Sequence, residues 1–397
     1  MATYYINWNT GSDSNNGLSI ATAWKTIGKA VSANNVFPNQ ENTYYIAAGH
    51  YPNFTTNFTL TGITTPSRQY FVGDTNGAIF GNKGQVVVSP WNDGTVVTDL
   101  NANPTTVNSA ASLRPQHGNL TFQNITFWGS SGANRTAVAT FNGWASGLQF
   151  LKCAFIGGPS QAVNIAHSAN DTQAGAFTTP RNCLFENCVF MSAGAGLAIQ
   201  TFFNNVANFD LGLTLRNCLF VVGNQGVRKD APTQPFTGAG YTLTAGGGTM
   251  VNSTCVANRE GIWVAAGNST AFPFRLINNC ITLSQNVGVN AGASGVITGQ
   301  RNRIVQNLTN SSNYTGTNDI TGGIVGLDAL TGLLHNTGSL EFFMPSVSGV
   351  LQGQGITSAE TPSVDILGYT RPSPISIGAL EANSLGSGPL VGGKLIQ

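Results

Sequence analysis

Asp230, Gln200 and His167 are the side chains whose types and spacing could do chemistry. Counted from a recurring polar anchor, Asp230 follows Asn217 by 13 residues, Gln200 follows Asn187 by 13 and His167 follows Lys152 by 15. Arg228 and Lys229 adjoin Asp230. A carboxylate, an amide, an imidazole and a cation at one place could bind a sugar or move a proton at a glycosidic bond. The same groups spread over a solvated face would do neither, and the spacing alone leaves both readings open.

Carbohydrate cleavage makes a further demand. Hydrolysis uses a pair of Asp or Glu, and elimination uses carboxylates that hold calcium beside an Arg or Lys base. The 16 carboxylates of this 397-residue chain are spread thinly, without an Asp-Asp, Asn-Thr-Asp, Gly-His-Gly or Arg-Ile-Lys motif. Asp13 in GSDSNNG lacks the later acidic ligand of a calcium loop and reads as a turn residue. The 6 cysteines have neither Cys-x-x-Cys nor histidine spacing for zinc, so no metal and no cofactor is expected. Arg259-Glu260 reads as a surface pair. Trp263, like Trp8, Trp91, Trp128 and Trp144, could stack on a sugar but reads first as a cap or core residue.

The elements that must position these groups come from a repeat. The anchors Asn124, Lys152, Asn187, Asn217, Asn252, Asn279 and Asn302 recur at intervals of 23 to 35 residues. Cys153, Cys188, Cys218 and Cys280 directly follow four of them, and Gly196, Gly226, Gly261 and Gly288 form a second series at a fixed offset. Apolar residues alternate at i and i+2 within each copy, which is the period of a strand with one buried face. Short strands in a repeat of about 30 residues mean stacked coils around a shared interior. We therefore expect an all-β protein, a parallel β-helix, in which reduced cysteines form an inward column. The asparagines form a corner ladder. Residues 1–35 read as an N-terminal cap with a short capping helix, 36–381 as the solenoid and 382–397 as an extended tail.

Charge narrows the partners. Only 8% of residues are charged and the net charge is +1, so neither nucleic acid nor an anionic membrane is expected as a partner. The opening MATYYINWNTGSDSNNG has no basic, apolar and small-residue succession of a cleaved export signal.

The segments GSDSNNGLSIATAWKTIGKAV, YYIAAGHY and GYTRPSPISIGALE resemble the opening and closing parts of right-handed parallel β-helix proteins of the pectate-lyase-like superfamily, phage-borne members among them. The resemblance departs at Ser376, where the closing motif usually has Asp. It implies the fold firmly, but the superfamily includes lyases, hydrolases, tailspikes, adhesins and inert members. With carboxylates scarce and no export signal, the expectation is a non-enzymatic virion protein, a capsid decoration or tail-associated spike. It would sit on the particle exterior as a homotrimer, touch other virion proteins through its C-terminal tail, and contact host surface polysaccharide. The alternatives are a β-helix polysaccharide lyase or glycoside hydrolase, and a secreted or cell-surface adhesin that binds glycans.

Overall fold

The computed structural model describes residues 1–34, 40–52, 57–58, 67–89, 111–115, 118–129, 136–140, 146–157, 161–165, 182–199, 208–230, 244–257, 259–266, 268–305, 307–314, 316–321, 353–366 and 368–379. Among the described residues, three parallel sheets of 10, 9 and 9 strands stack coil on coil. A representative coil passes through Leu184–Glu186 in sheet 1, Val189–Ser192 in sheet 2 and Ala195–Ile199 in sheet 3 before returning to sheet 1 at Thr214–Arg216.

Pairing between coils is in register, so like residues stack. Phe150 faces Phe122 and Phe185 in sheet 1, and Phe155 faces Phe127 and Phe190 in sheet 2. The first column, Tyr4, Tyr44, Phe71, Phe122, Phe150 and Phe185, has successive ring centroids 4.7 to 5.4 Å apart. Each such ring contributes about 2–3 kcal/mol through burial, with a further increment from stacking. The inward glycines of sheet 3 answer to the same crowding. A β-carbon on Gly226 would lie 2.2 Å from Cys255 Sγ, and one on Gly261 2.3 Å from Ile281 Cγ2.

The chain turns from sheet 1 to sheet 2 through left-handed residues. Asn124, Lys152, Asn187, Asn217, Asn252, Asn278 and Arg301 have φ between 46° and 57°. Asparagine is favoured there because its short polar side chain tolerates this conformation and bonds locally. Next inward, Cys153, Cys188 and Cys218 are buried, and their thiols donate to Phe122 O, Phe150 O and Phe185 O of the preceding coils at 3.4, 3.3 and 3.4 Å. Burial pushes the thiols of Cys153, Cys183, Cys218 and Cys280 up to about 12 and holds Cys188 well above its ordinary value.

Three of the expected positions move by one residue: Asn279, Cys280 and Asn302, whose place at the corner is taken by Arg301. Val251 pairs with Ile277 and Thr254 with Cys280, which sets Asn278, not Asn279, opposite Asn252 at the corner. Asn279 falls inward beneath Ser253, and Cys280 joins the row of Leu219 and Thr254 instead of the thiol column. The reason is a change in what fills the interior. Cys218 N donates to Ser253 Oγ at 3.0 Å, Ser253 N to Asn279 Oδ1 at 2.9 Å, Asn279 N to Asn302 Oδ1 at 3.0 Å and Asn302 N to Asp319 Oδ1 at 2.8 Å. A polar side chain at each level satisfies the amide of the level before it.

Near the N-terminus, Asp13 accepts from Lys25 N, Thr26 N and Thr26 Oγ1, which makes it a structural turn residue. Thr26 Oγ1 in turn accepts from Lys29 N in the helix Ile27–Asn34, an N-cap. Trp24 stacks on Tyr4 at 4.8 Å, and Trp24, Ile27 and Ala30 are buried in the core.

Residues 353–366 and 368–379 run along the outer side of the asparagine corner as a strap. Asn278 Nδ2 donates to Ile356 O at 2.7 Å, Asn252 Nδ2 to Ser376 O at 3.1 Å and Asn217 Nδ2 to Val364 O at 2.6 Å. Arg371 Nη2 donates to Asn217 Oδ1 at 2.7 Å and Gly378 O at 3.0 Å. Ile366 lies on the small apolar cluster that Ala154, Val189 and Leu219 form outside sheet 2.

Two outcomes are expected. Cys188→Ala or Cys218→Ala lowers unfolding stability in urea by about 1–2 kcal/mol through the lost packing and thiol contact. Arg371→Ala costs about 2–3 kcal/mol, because it removes a charged donor from a buried pair of acceptors. Limited proteolysis within 353–379 then accelerates while the far-ultraviolet circular dichroism of the sheets is retained.

Candidate functional site

Of the three expected site residues, Gln200 and His167 lie outside the described residues. Asp230 directly follows the strand Gln225–Lys229 of sheet 3, held by its N–H donating to Ile199 O at 3.0 Å. Arg228 grips its carboxylate in a bidentate pair, Nε to Oδ1 at 2.7 Å and Nη2 to Oδ2 at 3.1 Å. Lys229 points the other way, because successive strand residues alternate faces. It is 1% exposed, its ammonium bonds Asn268 Oδ1, and burial lowers it to about 7. The cation expected at the surface beside Asp230 is therefore Arg228 alone.

In-register pairing assembles a larger group around Arg228. It faces Trp263, which faces Asn290, on three successive coils. The Arg228 guanidinium lies 5.8 Å from the Trp263 ring centroid. One row away, Gln225 faces Glu260. Glu260 is no surface partner of Arg259: it is buried, and its Oε2 accepts from Gln225 Nε2 at 2.7 Å. Its Oε1 accepts from Asn290 Nδ2 at 3.0 Å and from Asn286 Nδ2 at 3.5 Å. Glu260 thus ties three coils together through neutral amides.

Beside this network the short turns between sheets 2 and 3 form a shallow groove of about 470 Å³, lined by Ala193, Gly223, Asn224, Arg259, Gln285 and Asn286. Arg259, Gln285 and Asn286 are exposed along it. Glu260 links the groove to the outer face of sheet 3, since it accepts from Asn286 in the groove and from Asn290 on sheet 3, where Trp263 and Arg228 are held by regular strands.

Sequence spacing carried a signal for this surface. Gln225 and Glu260 each follow their corner asparagines, Asn217 and Asn252, by 8 residues, while Arg228 and Trp263 follow the same two by 11. Several other described carboxylates are occupied elsewhere. Glu186 pairs with Arg216 at 3.2 Å, Glu360 with Arg275 at 3.1 Å, and Asp74 accepts from Ile79 N and Phe80 N. Burial raises the carboxyl of Asp319 at the end of the inner polar ladder.

No protein-family profile matches the chain, and no curated protein matches its sequence. Solved structures do share its fold. Pectate lyase Pel9A superposes with a TM-score of 0.52 at 13% identity over 96% of this chain and 97% of that one. A rhamnogalacturonan lyase superposes with a TM-score of 0.50 at 13% identity over 91% of this chain and 98% of that one. The chain is a right-handed parallel β-helix. At such identity the likeness is one of fold.

Lys229 gives a pH dependence with a definite sign. Its folded value, about 7, is below the ordinary 10.5, so between these the unfolded chain binds more protons and stability rises with pH. Below about pH 7 the folded protein carries the cost of a buried ammonium in full. Lys229→Met is expected to flatten the rise in unfolding free energy between pH 7 and 10, measured by denaturant titration at several pH values.

Proposed function

We propose that this protein binds polysaccharide chains along the outer face of sheet 3 and the adjoining groove. The observation that carries this reading is Trp263, half-buried on a regular strand, with Arg228 against its ring and Glu260, Asn286 and Asn290 in a fixed network beside it. An aromatic face with hydrogen-bonding groups around its rim suits a sugar ring, which has an apolar face and a polar edge. Stacked coils repeat such a surface along the solenoid, as an extended ligand requires.

Cleavage of the bound chain is the second reading. Among the described residues, Asp230 and Glu260 are carboxylates at this face, and both neighbours named above are polysaccharide lyases by name. The polysaccharide readings have more support than an inert structural role. A place on a virus particle, a homotrimer and a C-terminal tail docked on a virion protein remain proposals that rest on the sequence. They are compatible with glycan binding, because a particle-borne β-helix would meet host surface polysaccharide.

Trp263→Ala is expected to reduce retention on immobilised polysaccharides at least about tenfold, the worth of one good stacking contact. Affinity electrophoresis in gels cast with a panel of polysaccharides measures it. Unchanged mobility shifts in this variant would remove sheet 3 as the binding face.

A further inference from the structure

We infer that Glu260 is a positioning residue that makes this face select uncharged, hydroxyl-bearing sugars over carboxylated ones. The inference rests on the polysaccharide reading above and adds the chemical class of the ligand. An ionised carboxylate can only accept hydrogen bonds. Its two oxygens take the side-chain N–H groups of Gln225, Asn290 and Asn286 at 2.7, 3.0 and 3.5 Å. Each of these amides must therefore turn its nitrogen inward to Glu260, which leaves its oxygen facing away. Asn286 is exposed in the groove and Asn290 half-buried on the face, so each presents its carbonyl oxygen outward, beside the one amide N–H that Glu260 leaves over.

Asn224 lines the same groove, but its Oδ1 is buried and is not part of the ligand-facing surface. The exposed side chain of Arg259 lines the same groove and is a donor. Arg228, the other cation of the face, is already neutralised by its bidentate pair with Asp230.

A sugar hydroxyl needs both an acceptor for its proton and a donor to its lone pairs, and this surface offers both. A uronate carboxylate needs donors alone. It would meet the Arg259 guanidinium and the leftover amide N–H groups, but would also set its oxygens against the carbonyl oxygens of Asn286 and Asn290. Burying acceptor against acceptor costs enough to separate the two ligand classes by about tenfold or more.

Isothermal titration against a panel of matched polymers tests this: methyl-esterified and de-esterified polygalacturonate, with galactan and β-glucan as uncharged members and alginate as a carboxylated one. The uncharged members are expected to bind at least about tenfold more tightly than the carboxylated ones. Glu260→Lys substitutes a donor-only group, turns the amides of Asn286 and Asn290 round, and is expected to abolish or invert that preference. Because a buried lysine could compromise folding, Asn286→Asp at the exposed rim provides a second test. It retains an outward acceptor and should preserve or widen the preference, whereas Asn286→Lys should narrow it. Tighter binding of the carboxylated members by the wild type overturns the inference and leaves the polysaccharide reading intact, as does a preference unmoved by all three variants. Binding of no polymer overturns both.

Discussion

The side chains of the three sheets are placed by the in-register pairing of one coil on the next. Parallel strands about 4.8 Å apart bring identical positions of successive coils into contact, so a residue chosen at one level constrains the same position above and below it. The interior is narrow, and flat rings, small thiols and glycines satisfy it: phenylalanines stack, thiols hydrogen-bond to the preceding coil and glycines let sheet 3 approach its neighbours. The columns are a consequence of pairing, and their stability is shared among many modest contacts.

The same constraint governs how polar groups enter the core. In the middle of the stack the column next to the corner is made of cysteine, which needs little from its surroundings. Towards the C-terminal end it becomes Ser253, Asn279, Asn302 and finally Asp319, each accepting a backbone N–H from the preceding level. Tyr314 donates its hydroxyl to Asp319, so the ladder ends on an acceptor-only group with a donor of its own. Outside, the corner asparagines have amides left over, and the strap satisfies them while covering the apolar row outside sheet 2. Ser376 fits this use of the strap, since its backbone oxygen is what receives Asn252.

Much of the fold was legible in the sequence because stacking leaves a periodic record. Alternating Cys and Phe after a polar anchor marked the strands of sheet 2, and the offset glycines marked sheet 3. The register slipped where two asparagines are adjacent: Asn278 and Asn279 fit the corner equally well by type, and only strand pairing assigns the left-handed corner to the first. The surface was harder to read. Glu260 beside Arg259 resembles an exposed ion pair in sequence, while its true partners are amides up to 35 residues away, brought close by coils of unequal length. Trp263 looked like a core residue because indole is large and apolar, yet its strand position faces outward in the row of Arg228 and Asn290. Asp230 was found by its offset, and its partner Arg228 was adjacent.

The functional surface thus depends on the same pairing as the core. Gln225 and Glu260 meet because their strands align, and Trp263 lies over Arg228 for the same reason; no loop is needed to hold either contact. A rigid strand face of this kind positions ligand groups with little ordering cost on binding. The most direct measurement is a crystal structure of the protein soaked with an oligosaccharide chosen from the polymers it retains. Sugar rings are expected to lie on Trp263, with hydroxyls within hydrogen-bond distance of Asn286 and Asn290. Ordered sugar bound instead on the outer face of sheet 1, with the Trp263 face empty, would contradict this expectation.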